Sequence, residues 1–287
     1  MTVLLNKISD VKNHIKEWKK QGLTVGLVPT MGALHMGHES LIKKAKEMCG
    51  KVVVSVFVNP IQFGPNEDYD KYPRTIESDM SVCEKIGADI VFSPSPVEMY
   101  GKNNRLSNTD LTFVCPPYNV VDCMCGKSRT GHFDGVATVV LKLFNIVNPD
   151  YAFFGQKDAQ QLFIIKKMVK DLNLDLTIVP CPIVRESDGL ALSSRNTYLS
   201  AEERTYALTI NQSLKQIELL YKNGIKDTKK LLDAALSVLD KNIELEYLEF
   251  RDYDNLEKID EIKDNTLVAI AAKAGTTRLI DNIIIRE

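Results

Sequence analysis

The chain has 287 residues, 44% hydrophobic and 26% charged, with 36 Lys and Arg against 38 Asp and Glu for a formal charge of −2. That balance excludes a protein held to nucleic acid or anionic lipid by bulk charge, and the composition excludes a disordered chain or a small disulfide scaffold. The length favours two domains, or one large one, with cores that need no covalent staples.

The opening MTVLLNKISD has no signal-peptide pattern, and no stretch of about 18 apolar residues follows, so a cytoplasmic chain with free thiols is expected. The six cysteines are dispersed, and the Cys123-x-Cys125 pair has no second Cys/His pair at zinc spacing. Two partly buried thiols are the expectation there. Short apolar runs at 23–28, 52–58, 88–92, 151–154 and 174–179 read as buried strands. Amphipathic stretches at 38–49, 76–86, 135–147 and 158–171 read as the helices between them, with Ser78 and Asp79 in a cap region after Thr75. This alternation predicts an α/β fold, a parallel sheet with helices on both faces and ligands at the carboxyl ends of the strands. Beyond residue 200 the pattern changes to helices at 201–222 and 227–241, then strands at 245–251, 266–272 and 278–285. A smaller α+β carboxy-terminal domain is therefore expected, with the division 1–182 and 183–287.

Five loops carry polar chemistry. The first strand runs into V-P-T-M-G-A-L-H-M-G-H, where Gly32 and Gly37 permit close backbone approach. His35 and His38 stand three apart at a helix N-terminus, where unpaired N–H groups and a partial positive charge suit a phosphate. H-x-x-H lacks the spacing and third ligand of a zinc site. The second strand ends in F-V-N-P-I-Q-F-G, whose Asn59 and Gln62 either read a hydroxyl or carboxylate or satisfy the loop backbone. G-K-S-R-T-G-H-F-D-G (126–135), with Lys127, Arg129 and His132, is either an anion-binding loop or a solvated charged one.

In F-G-Q-K-D-A-Q-Q-L, Gly155 allows a tight turn, and Lys157, Asp158 and Gln161 share a helix face. A lysine beside a helix N-terminus opposes the helix dipole, which makes sense if an anion binds there. Ser193, Ser194 and Arg195 offer hydroxyls and a bidentate cation to phosphate oxygens, with plain capping by either serine as the alternative.

H-M-G-H resembles the HIGH signature of adenylate-forming and nucleotide-transferring enzymes, and L-S-S-R-N is similar to their KMSKS loop. The five motifs together, in order over about residues 20–200, resemble the pantoate–β-alanine ligases, and G-T-T-R-L-I-D-N continues the likeness more loosely. One departure is Thr130, where that family more often has proline after the arginine.

The resemblance implies joining of (R)-pantoate to β-alanine with ATP and Mg²⁺ through pantoyl adenylate, releasing AMP and pyrophosphate. A Rossmann-like amino-terminal domain, pantothenate biosynthesis on the coenzyme A pathway and a homodimer come with it. The balanced charge and the lack of a membrane-length apolar run lead to the expectation of no nucleic acid or membrane partner. The resemblance assigns ATP contacts to Met31, Gly32, Ala33, Leu34, His35, Met36, Gly37 and His38. Gly155, Gln156, Lys157 and Asp158 follow, then Val184, Leu192, Ser193, Ser194 and Arg195. Pantoate would fall to Gln62, Gln161, Asn59 and Arg129, with Gln62 also near β-alanine. Catalysis would rest on His38 with His35, Lys157 and Arg195. Asp158 and Asp89 are conceivable carboxylates for magnesium. The competing expectations are a different nucleotidyltransferase and a catalytically silent nucleotide-binding module.

Overall fold

The computed structural model describes residues 1–65, 67–101 and 111–286. Six strands form one sheet: β1 (Val3–Leu5), β2 (Val25–Thr30), β3 (Lys51–Val56), β4 (Ile90–Phe92), β5 (Tyr151–Gly155) and β6 (Thr177–Cys181), in the order β1-β4-β3-β2-β5-β6 and all parallel. The chain builds outward from β2 through β3 to β4, then returns to place β5 on the other side of β2. That reversal makes the carboxyl ends of β2 and β5 the switch point where ligands of doubly wound sheets bind.

Val28, Val52, Val54, Val56 and Val91 pack on one face against Leu41, Ile42 and Ala45 of helix Met36–Met48 and Cys83 of helix Ile76–Ile86. Helices Ile8–Lys20 and His132–Val147 cover the other face. The expected Rossmann-like arrangement is therefore what this sequence folds into. β1 and helix Ile8–Lys20 were not among the expected elements. β1 is a three-residue edge strand with Val3 and Leu4 more than a third exposed, too short and too wet to leave a periodic signal.

Helix His132–Val147 starts three residues before its expected position, behind Gly131 at φ 77°. Gly135 lies in its first turn, where a Cβ would sit 2.3 Å from the carbonyl oxygen of Ile61. That missing side chain lets the helix lie directly on the turn Pro60–Gln62.

The chain packs as two compact units. One comprises Met1–Tyr118, Arg129–Gln156 and Ile164–Pro182; the other comprises Asn119–Ser128, Lys157–Phe163 and Ile183–Glu287. The second unit holds an antiparallel sheet of β7 (Ile243–Asp252), β8 (Thr266–Ala274) and β9 (Thr277–Ile285), with β8 central. Ile210, Leu214 and Ile217 of helix Ala201–Lys222 and Leu231 and Ala235 of helix Thr228–Leu236 close its core. Ser200 and Glu203 form a capping box at the start of the longer helix.

The shorter helix ends five residues before expectation. The main-chain N–H of Asp240 is drawn to the Thr209 hydroxyl at 3.1 Å, and the Asp240 carboxylate takes the N–H of Asn242. Buried Gln160 joins Asn119–Ser128 to this unit, donating to the carbonyls of Val120 and Cys123 and accepting from the N–H of Gly126.

Candidate active site

In the first unit the chain leaves β2 at Thr30 and turns through Gly32 (φ 87°) and Ala33 (φ 50°) into helix Met36–Met48. Two left-handed residues in succession need an external anchor, and Asp79 supplies it. Its carboxylate accepts from the N–H of Ala33 (3.1 Å) and of Leu34 (2.8 Å), and the side chain is 1% exposed. Burial raises the Asp79 pKa, while the two amides and Thr75 pull the other way. Sequence reasoning placed Asp79 in a cap region, whereas its partners lie 45 and 46 residues away.

His35 is the N-cap of the helix: its Nδ1 accepts from the N–H of Gly37 (3.1 Å), and Nδ1 of His38 accepts from the N–H of His35 (3.3 Å). A neutral ring that accepts at Nδ1 carries its proton on Nε2, so each imidazole has an Nε2–H donor at a helix N-terminus.

Gln62 donates through Nε2 to the sulfur of Met31 (3.3 Å) and accepts through Oε1 from Asn59 Nδ2 (2.9 Å). Met31 thus brings the histidine loop and the Gln62 amide together. Asn59, 1% exposed, bonds inward: Nδ2 also donates to the carbonyl of Gly135, and Oδ1 accepts from the Tyr100 hydroxyl. Tyr100 and Gly135 were not foreseen as Asn59 partners.

The 126–135 stretch is divided: Lys127, Ser128, Thr130 and Gly131 are exposed, while Arg129 and His132 are tied down by hydrogen bonds. Arg129 grips Glu67 through two bonds of 2.7 Å, and its third nitrogen lies 2.9 Å from His132, itself 8% exposed. Gly155 and Gln156 stand at the carboxyl end of β5, the neighbour of β2.

In the second unit Lys157 lies in the short turn Gln156–Asp158 ahead of helix Ala159–Asp171, its carbonyl held by Asn282 Nδ2 at 2.9 Å. Burial lowers its ammonium pKa and the charge of Arg195 adds to this, against the pull of Asp158 and Asp281. Asp281, 3% exposed, clamps Arg185 with bonds of 2.6 and 2.9 Å. Val184 and Leu192 are paired across a narrow hairpin, the N–H of Leu192 donating to the Val184 carbonyl at 3.0 Å.

Ser193 caps the turn Ser194–Tyr198, its hydroxyl accepting from the N–H of Arg195 at 3.3 Å. The capping alternative therefore holds for this serine. Asn196 secures the loop through Glu186 (2.7 Å) and the Ala191 carbonyl (3.1 Å), and Arg204 braces Glu186 and Asp188. Asp158 is exposed, and Gln161 is half-buried on the following helix.

Asp89 does not fit as a magnesium ligand at this edge. It lies at the amino ends of β3 and β4, bound to Lys46 (3.1 Å), Lys51 (2.8 Å) and the N–H of Val52 (2.9 Å). Among the described residues no group of three or more His, Cys, Asp or Glu could hold a metal ion. All six cysteines are free, and burial raises the pKa of Cys123. No described helix is long and apolar enough to cross a membrane.

The six-stranded parallel sheet flanked by helices, with paired imidazoles at a helix N-terminus beside its switch point, defines an α/β protein of the doubly wound class, whose ligands bind at that edge. The Pantoate-beta-alanine ligase family model matches residues 3–284. The pantothenate synthetase of Caldicellulosiruptor saccharolyticus is 54% identical over 285 residues, 99% of each chain, and that of Clostridium novyi 53% identical over 284 residues, 98% of each. A solved pantothenate synthetase from Thermus thermophilus superposes with a TM-score of 0.92 at 36% identity, covering 99% of this chain and 100% of that one. The pantoate–β-alanine ligase from Francisella tularensis, solved in complex with beta-gamma ATP and β-alanine, gives a TM-score of 0.80 at 35% identity, covering 99% and 98%. The chain belongs to the pantoate–β-alanine ligase family and is an enzyme of the ligase class.

Proposed function

We propose that the enzyme condenses (R)-pantoate with β-alanine at the expense of ATP, through a pantoyl-adenylate intermediate, releasing AMP and pyrophosphate. The observation that carries this reading is the pair of Nε2–H imidazole donors at the helix N-terminus after β2, with the Gln62 amide tied to the same loop through Met31. The beta-gamma ATP and β-alanine in the Francisella tularensis relative support ATP and β-alanine as substrates here.

Pantoate's carboxylate is ionised at neutral pH, carboxyl pKa values lying near ~4, so the first step needs no general base. The carboxylate attacks the α-phosphorus in line, and the bond to pyrophosphate breaks. What the protein supplies is position and charge stabilisation. His35 and His38 donate to phosphate oxygens, and Lys157 and Arg195 offset the charge that develops. Residues 31–38, 155–158, 184 and 192–195 bind ATP. Gln62 and Gln161 hold pantoate, Asn59 and Arg129 belong to the same subsite, and Gln62 also serves β-alanine. In the second step the amine of β-alanine attacks the acyl carbonyl and AMP leaves.

A magnesium ion would be held mainly by the substrate phosphates, with exposed Asp158 as the carboxylate available to it, and would supply positive charge to offset theirs. Residues 1–182 would form the nucleotide- and pantoate-binding part and 183–287 the part carrying the KMSKS-like loop, in a cytoplasmic homodimer.

The deciding experiment uses pantoate labelled with ¹⁸O in its carboxylate. Adenylate chemistry delivers one labelled oxygen to AMP. Formation of ADP, or AMP without label, would refute the reading.

A further inference from the structure

Four residues of the first unit, Gln62 and Glu67 from one stretch and Arg129 and His132 from another, form an unbroken polar chain. Glu67 accepts two bonds of 2.7 Å from Arg129, Arg129 Nη1 stands 2.9 Å from His132 Nε2, and His132 Nδ1 stands 2.8 Å from the carbonyl oxygen of Gln62. The direction follows from the chemistry of the ends. A guanidinium only donates, so Nε2 of His132 accepts, and the single ring proton therefore sits on Nδ1. Nδ1–H then donates to a carbonyl that can only accept. His132 is 8% exposed and packs edge-on against Phe133, which leaves the ring little freedom.

We propose that Glu67, Arg129 and His132 are positioning residues that fix the main chain of Gln62, and so aim its carboxamide at pantoate. Asn59 locates the same side chain from its other end, at 2.9 Å. An amide read for its orientation needs both its backbone and its tip held, and this chain holds the backbone. Arg129 serves the pantoate subsite by locking His132, since three of its nitrogens are engaged within the protein. Fixing geometry at one remove is a recognised way to set substrate affinity, because small displacements of a ligand-contacting group are strongly felt.

The inference rests on the reading of Gln62 as a pantoate ligand, and the test separates the two. Steady-state constants for pantoate and ATP would be measured for H132A, H132N, E67Q, Q62A and the double variant Q62A/H132A, with thermal unfolding of each. In H132A the pantoate KM rises about tenfold while the ATP KM stays within about twofold. H132N restores pantoate binding, its Nδ2 donating where Nδ1 did. E67Q, which breaks the fork on Arg129, raises the pantoate KM in the same sense and carries the test if H132A does not fold. The double variant is no worse for pantoate than Q62A, because the relay acts through Gln62 alone.

An unchanged pantoate KM in H132A and E67Q, equal rises for pantoate and ATP, or additive effects in the double variant would overturn the relay. If Q62A itself leaves the pantoate KM unchanged, the assignment of Gln62 fails and the relay falls with it.

Discussion

The ring of His38 holds the main chain of His35: Nδ1 accepts from the His35 N–H at 3.3 Å, and the two imidazoles lie 4.1 Å apart at 33°. One nitrogen of His38 is thus structural, and the other is the donor assigned to phosphate. The two roles separate by substitution. His38→Asn keeps an acceptor near the Nδ1 position and loses the distal donor, while His38→Ala loses both. Single-turnover formation of pantoyl adenylate should slow about 10²–10³-fold in both variants, with ATP affinity changed far less. Only the alanine variant should also lose about 1 kcal/mol of stability from the broken cap. An unslowed adenylate burst would remove His38 from the chemistry.

Gln62 is 9% exposed, and its partners would be left unpaired if it were shortened. Gln62→Ala should weaken the pantoate dependence by about 1–3 kcal/mol, with ATP saturation little affected. Initial rates against pantoate at saturating ATP give the number directly.

The histidine loop stands or falls with Asp79 and Gly32. A Cβ at residue 32 would meet the Asp79 carboxylate and Val56, each at 2.9 Å, at a φ of 87°. Gly32→Ala should lose at least about 1–2 kcal/mol from the left-handed backbone alone. Asp79→Asn turns an NH₂ toward one of two N–H donors and should lose about 1–3 kcal/mol. Urea unfolding midpoints of both variants equal to that of the unaltered protein would contradict the anchor.

Burial pushes the Glu67 carboxyl up, but the hydrogen bonds and charge of Arg129 outweigh it, and the net pKa lies below the ordinary 4.5. A carboxylate with a depressed folded-state pKa gives its full stabilisation above the unfolded-state value, and loses it as pH falls through the folded-state value. Thermal stability of the unaltered protein should therefore fall below about pH 5 more steeply than that of E67Q. Parallel melting curves from pH 6 to 3 would show Glu67 contributing nothing.

Lys157 has the opposite sense. Burial and then Arg195 lower it from the ordinary 10.5. If its positive charge serves the phosphates, kcat/KM for ATP declines as pH rises through that lowered value. Lys157→Arg, always protonated, should move this basic limb to higher pH even where the maximal rate is lower. A limb that stays in place assigns it to another group.

The helix Ile76–Ile86 was legible to the residue and β5 to within one, because their signals are local: apolar periodicity, first-turn acids and glycine at a C-terminus; β6 starts three residues and ends two residues later than its apolar run. The candidate loops were legible for the same reason, since strand ends and glycine-flanked histidines lie close together in the chain. β1 escaped because three residues carry no period. Gln160 escaped because adjacent glutamines look alike until a fold turns one inward and leaves the other half-buried.

From its sequence alone this protein specified the alternation of strand and helix, the polar character of each loop and the two histidines at one helix start. All of these follow from neighbours a few positions apart. Tertiary structure decided what those groups are bonded to: Asp79 under Ala33 and Leu34, Glu67 on Arg129 across 62 residues, His132 beneath Gln62 across 70. A hydrogen-bond partner is chosen by proximity in space, and for these pairs only the folded sheet and its crossing helices create that proximity.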